Sequence, residues 1–154
     1  MRMMVAVDES EGSFYALNWA LNNFFPAFTT AEELGTFTVV HVQQPFQPYI
    51  FAAGPVLEVA REGQEKQAAS ISSRALEMCK GKMVKAETLI LEGDPKEMIC
   101  QATEKMQVDV LVVGSRGLST IKRAFLGSVS DYCAHHAKCP ILIVKPPSES
   151  HNKK

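Results

Sequence analysis

The sequence predicts an α/β protein built on a doubly wound, open, mostly parallel sheet. Two observations predict it. Short apolar runs alternate with helix-forming stretches along all 154 residues, in the order β-α-β-α-β-α-β-loop-α-β. The purest of those runs, VDVLVV at 108–113, carries almost no polar residue. Strands alternating with helices imply a parallel sheet covered on both faces. Right-handed crossovers then wind the chain both ways across the sheet.

Each element has its own signal. MMVAV, 3–7, is short, apolar and partly β-branched, as a buried strand should be. Ser10 stands where a helix cap belongs. Phe14, Leu17, Leu21 and Phe24 then recur at helical steps, with Ala16 and Ala20 between them and Trp19 on the same helix, until Pro26 stops the pattern. TFTVVHV, 36–42, reads as the second strand. Pro45, Pro48, Gly54 and Pro55 make the 43–57 segment irregular, while Phe46, Tyr49, Ile50 and Phe51 make it apolar. It suits a flap over a site, a partner patch, or a segment folded back on its own domain. From about Glu58 to Lys80 the composition favours a long surface helix. AETLILEG, 86–93, is the third strand. Asp94 as cap and Pro95 in the first helical position open a helix running to about Met106. After the fourth strand, 108–113, a helix is expected from about Ser128 to His136, and PILIVK, 140–145, is the fifth strand. The length fits one domain, residues 1–146, followed by a polar tail, 147–154.

Composition limits the partners. A formal net charge of −1 gives no global attraction to nucleic acid or anionic membrane, so any anion site must be local. No apolar run approaches the ~20 residues that cross a bilayer. MRMMVAVDES has too short an apolar segment for a signal peptide, so the expected location is the cytoplasm. Cys79, Cys100, Cys133 and Cys139 form no CxxC pair and read as buried small hydrophobes. Cys133, His135, His136 and Cys139 lie close in sequence but lack the paired spacings of a zinc site.

The chemistry concentrates in GSRGLSTIKRAFLGSVS, 114–130. Ligands of doubly wound sheets lie outside the carboxyl ends of strands, where strand order reverses. If the first and fourth strands adjoin there, Val7-Asp8 and Val113-Gly114 flank one crevice. Gly114, Gly117 and Gly127 allow close backbone approach and positive φ. Ser128 begins a helix, so its hydroxyl and the free N–H groups beside it can hold phosphate oxygens. Ser115 flanks the first glycine, and Arg116, Lys122 and Arg123 can add charge or simply be solvated. A helix end contributes ~0.3–1 kcal/mol toward an anion, up to ~2 when partly buried. A micromolar complex needs about 8 kcal/mol, so a base and a ribose must be held elsewhere in the crevice. There is no GxxxxGK[ST] and no GxGxxG after the first strand, which argues against a P-loop enzyme and a dinucleotide oxidoreductase. The same loop also reads as a plain structural turn.

The pattern G-x2-G-x9-G-[ST], met by Gly114, Gly117, Gly127 and Ser128, resembles the nucleotide-binding signature of the universal stress protein family. VAVDES with ALNWAL, then VVHVQ, EGDP and CPILIVK, are similar to that family's successive elements, and closest to its plant single-domain, ATP-binding members. The resemblance implies a five-stranded Rossmann-like sheet of order 3-2-1-4-5, of the adenine-nucleotide α-hydrolase type. It implies ATP or AMP in the crevice, with Mg²⁺ accompanying ATP. Ala6, Val7 and Asp8 would line the adenosine end, with the Asp8 carboxylate near the ribose. Val42 would offer backbone groups to adenine, and Gly114, beside Ser115 and Arg116, would approach the ribose. Gly117, Gly127 and Ser128, with Val129 and Ser130 behind them, would cradle phosphates. Some ATP-binding relatives carry Pro where Ala6 stands, which alters the wall beside adenine. The family also implies a homodimer through the last strand, Ile141, Leu142, Ile143 and Val144, whose apolar edge would otherwise invite uncontrolled pairing.

Asp8 also reads as a helix-start carboxylate, and His41 as a packed strand histidine. No residue is evidently placed to activate water against a γ-phosphate, so hydrolysis is expected to be slow at most. The leading function is a dimeric, nucleotide-dependent stress-response module, a switch or chaperone-like partner of an unidentified protein client. The alternatives are a nucleotide-using enzyme on the same sheet and a structural dimer with a vestigial site.

Overall fold

The computed structural model describes residues 1–25, 35–45, 54–115 and 126–147. Pro26, the 46–53 part of the irregular segment, Arg116, Gly117, Lys122, Arg123 and the tail from Ser148 lie outside the described residues.

The order along the chain is β1 (Arg2–Ala6), α1 (Glu11–Phe24), β2 (Thr36–Gln43), α2 (Gly54–Gly81), β3 (Glu87–Glu92), α3 (Pro95–Lys105), β4 (Val110–Gly114), α4 (Ser128–His136) and β5 (Ile141–Val144). The five strands form one sheet of order β3-β2-β1-β4-β5. Every pairing is parallel.

Strand alternation sorts the core into two layers. Met3, Val5, Phe37, Val39 and Val112 face α1 and α2, where they meet Leu17, Leu21, Ile71 and Ala75. Met4, Val40, Leu111 and Val113 face α3 and α4, where they meet Ile99, Ala102 and Cys133. β1 and β4 are therefore apolar on both sides, as strands at the centre of a doubly covered sheet must be. The edge strand β3 alternates instead, with Leu89 and Leu91 inward and Ile90 exposed.

Local signals explain the helix starts. The Ser10 hydroxyl accepts from the Ser13 N–H and caps α1 as predicted. Asp94 departs from expectation: it occupies the cap position of α3, but its carboxylate makes no capping bond and pairs with Lys96 instead. α2 begins at Gly54, upstream of the predicted Glu58. Gly54 and Pro55 thus belong to its first turn, where a missing N–H costs no helical bond. No helix among the described residues is long and apolar enough to cross a membrane.

Candidate functional site

The chain reverses its winding between β1 and β4, and a cavity of about 920 Å³ opens at their carboxyl ends. That size suits a ligand of nucleotide dimensions. Ala6, Val7, Asp8, Val42, Gly114, Gly127, Ser128, Val129 and Ser130 all line it. Residues separated by more than a hundred positions are thereby brought to one crevice. Ser115 is buried just beneath, its N–H on the Val144 carbonyl at 3.0 Å.

β2 supplies an open backbone edge. β1 pairs with it only as far as Ala6 opposite Val40, whereas β3 accompanies it to Gln43. The Val40 carbonyl points toward β1 and accepts from the Val7 N–H at 2.9 Å. The Gln43 carbonyl points the other way, accepting from the Gly93 N–H at 3.0 Å. Backbone groups alternate in direction along a strand. Val42 therefore aims its N–H and C=O to the same side as Val40, into the gap beyond the end of β1.

The turn from β1 into α1 is locked by short polar contacts. The Asp8 carboxylate accepts from the Ser10 N–H at 2.8 Å and from the Ser10 hydroxyl through the same oxygen, Oδ1. Its other oxygen, Oδ2, has no partner among the described residues. The Ser13 hydroxyl accepts from the Asp8 N–H at 3.0 Å and shares its hydrogen between the Asp8 and Ser10 carbonyls. His41 is buried, and its Nδ1 lies 2.9 Å from the Val7 carbonyl. A carbonyl can only accept, so Nδ1 carries the proton. A packed strand histidine bordering the site is what the sequence suggested.

Of the two described signature glycines, Gly114 acts by lacking a side chain. Neither Gly114 nor Gly127 has positive φ, contrary to expectation. A Cβ on Gly114 would stand 2.9 Å from the Gly12 carbonyl oxygen, so glycine there lets the first turn of α1 close against β4. Gly127 has φ −66 and ψ 165 as the cap of α4, and its N–H reaches the Ser115 carbonyl at 2.7 Å. The left-handed glycine on the cavity wall is Gly93, φ 145, in the EGDP turn. A Cβ there would lie 2.8 Å from Met98 Cγ.

α4 presents an anion-ready end. Its first intrahelical bond runs from the Asp131 N–H to the Gly127 carbonyl. Ser128, Val129 and Ser130 precede it, and their N–H groups have no acceptor among the described residues. The Ser130 hydroxyl is buried and bonded to the Ser115 and Gly127 carbonyls at 3.0 and 3.1 Å. Its main-chain N–H, and not its side chain, is what Ser130 offers a ligand.

The cysteines and histidines weighed for zinc point apart. Cys133 is buried against α3, with its sulfur 3.4 Å from that of Cys100. His135 lies 3.7 Å from Asp131, and the His136 ring lies against Tyr132. Among the described residues no group of three metal-ligating side chains converges.

The sequence pattern of the universal stress protein family matches residues 1–145. The chain belongs to that family. A universal stress protein A-like protein of Arabidopsis thaliana is 47% identical over 62 residues, which span 40% of this chain and 35% of that protein. Universal stress protein YxiE of Bacillus subtilis is 29% identical over 151 residues, covering 94% of this chain and 98% of its own. Among solved structures, this universal stress protein superposes on an Arabidopsis thaliana family protein with AMP bound, with a TM-score of 0.72 and 27% identity. The superposition covers 96% of this chain and 93% of that one.

Sequence reasoning did not single out Gly93, Gln43, Gln64, Gln67 or Lys96, which also line the cavity. Gln64 Nε2 donates to the Gln44 carbonyl at 2.8 Å and so ties α2 to the end of β2. No local motif announces such residues, because they become neighbours only when α2 and α3 dock.

Proposed function

We propose that this universal stress protein binds an adenine nucleotide, ATP or AMP, in the crevice between β1 and β4. One observation carries the reading. The open Val42 backbone edge and the free amide end of α4 border the same 920 Å³ cavity. The first suits the hydrogen-bonding edge of a base, and the second suits phosphate. The Asp8 carboxylate, oriented by Ser10 and with Oδ2 unpaired, suits a ribose hydroxyl. The AMP-bound Arabidopsis protein, similar over nearly its whole length, supports adenine as the base.

The described residues fit ATP with its magnesium as well as AMP. Mg²⁺ takes most of its oxygens from phosphates and water, so the crevice needs no cage of carboxylates. Mg²⁺ would neutralise phosphate charge beside Asp8 and Asp94. Arg116 and Gly117 complete the phosphate end in this proposal.

The protein works as a homodimeric binding module in the cytoplasm, changing its exposed surface for a protein client as the nucleotide changes. Its free cysteines suit a reducing compartment. The edge strand β5, with Ile141, Leu142 and Ile143 half-buried in the single chain, suits a dimer seam.

The test begins with purified protein. Denaturing it should release AMP, ADP or ATP carried through purification. Wild type should then bind ATP in a titration, and Gly127→Val, which covers the α4 amides, should abolish that binding. Unchanged binding by the valine variant would remove the site from α4. Turnover faster than ~1 s⁻¹, the ordinary enzyme range, would favour an enzyme over a binding module.

A further inference from the structure

One cation stands on the described part of the cavity wall. Among the described residues that line it, Lys96 is the sole Lys or Arg, while Asp8, Glu9 and Asp94 are the acidic ones. It occupies the first turn of α3, and two contacts place it against α4. Its carbonyl lies 4.0 Å from Cys133 Sγ, and its Nζ lies 5.8 Å from the centroid of the Tyr132 ring. Tyr132 is four residues past Ser128, about 6 Å along the helix. The ammonium thus lies beside α4, and Lys96 lines the same cavity as Ser128, Val129 and Ser130, whose amides would meet phosphate.

Its present partner is weak. Lys96 Nζ and Asp94 Oδ2 are 3.2 Å apart, with side chains 38% and 42% exposed. Such exposed pairs contribute little net stability. A di- or triphosphate offers several anionic oxygens to the same ammonium and would displace one solvated carboxylate. The sequence position of Asp94 suggested a helix cap, yet it makes none. Its carboxylate serves the lysine instead.

We propose that Lys96 reads the phosphate charge of the bound nucleotide, with Asp94 as its resting counter-ion, so that the site discriminates ligands by their number of phosphates. This rests on the nucleotide reading above.

The experiment titrates adenosine, AMP, ADP and ATP against full-length wild type, Lys96→Gln and Asp94→Asn, with denaturation midpoints to establish folding. Lys96→Gln should weaken ATP about tenfold, the equivalent of ~1.4 kcal/mol, weaken AMP less and leave adenosine unchanged. Raising salt should cost the variant less affinity than wild type. Asp94→Asn frees the lysine and removes a negative charge, so ATP should bind more tightly. ATP affinity unchanged in Lys96→Gln, or an equal loss for adenosine, overturns the assignment of Lys96 while leaving the nucleotide site standing. Weaker ATP binding by Asp94→Asn overturns the counter-ion role. Wild type that binds none of the four ligands overturns the nucleotide reading and this inference together.

Discussion

Gly114 carries a packing duty that its place in the sequence does not announce. Its place at the end of an apolar strand suggested close approach to a ligand. Gly114 lines the crevice, and the α1 backbone also closes on it: a Cβ there would stand 2.9 Å from the Gly12 carbonyl oxygen. Backbone cannot swing aside as a side chain can. Gly114→Ala should therefore lower stability by about 1–3 kcal/mol, the usual cost of overpacking, measured by urea denaturation with or without nucleotide. An unchanged midpoint would mean that α1 does not sit where described. Ser10 was legible because capping is local: the hydroxyl, the helix start and the spacing are all in the sequence. Its second duty, holding Asp8 Oδ1, was not. Ser10→Ala should cost ~0.5–2 kcal/mol for the lost cap. It should also weaken nucleotide binding, because a freed Asp8 carboxylate no longer faces the crevice in one orientation. The stability loss without the affinity loss would separate Asp8 from the ligand.

Elements were the most readable level, since apolar runs and helical spacing depend on neighbours in sequence. All nine appear within a few residues of their expected bounds, α2 departing most at its start. The strand order came from family resemblance, and the observed order agrees with it. What elements do to one another was less legible. The meeting of α2 and α3 with the end of β2, which brings Gln64 and Lys96 to the crevice, is a tertiary event without a local signature. The same scale carries the dimer prediction. In β5, Leu142 packs on the α1 and α2 side and Ile143 on the α3 and α4 side. Leu142→Asp and Ile143→Asp should each give monomer on a sizing column if β5 is the seam. Ile90→Asp, on the exposed face of the opposite edge, should leave a dimer. A folded dimer surviving at both β5 positions would place the seam elsewhere.

Across the whole molecule, the two core layers each bury a thiol that makes stability sensitive to alkaline pH. Burial pushes the Cys79 thiol up to about 11 and raises Cys133 further, with the Cys100 sulfur reinforcing the effect. An unfolded chain ionises its thiols near pH 8.5. Burial favours the neutral form, so this contribution to stability is complete below that pH and is lost as pH climbs toward 11. Urea midpoints should fall over that window, and Cys79→Ala should flatten the fall even though it lowers stability at pH 7. Equal slopes in both proteins would mean that the thiol is not buried. Nucleotide binding requires a base and a phosphate to share one crevice, and a crystal structure of the protein with AMP tests that most directly. It should show the adenine edge at hydrogen-bonding distance, ~2.7–3.2 Å, from the Val42 main chain and phosphate oxygens on the amides of Ser128, Val129 and Ser130. AMP bound away from the β1–β4 crevice, or a crevice filled by the protein's own side chains, would contradict it.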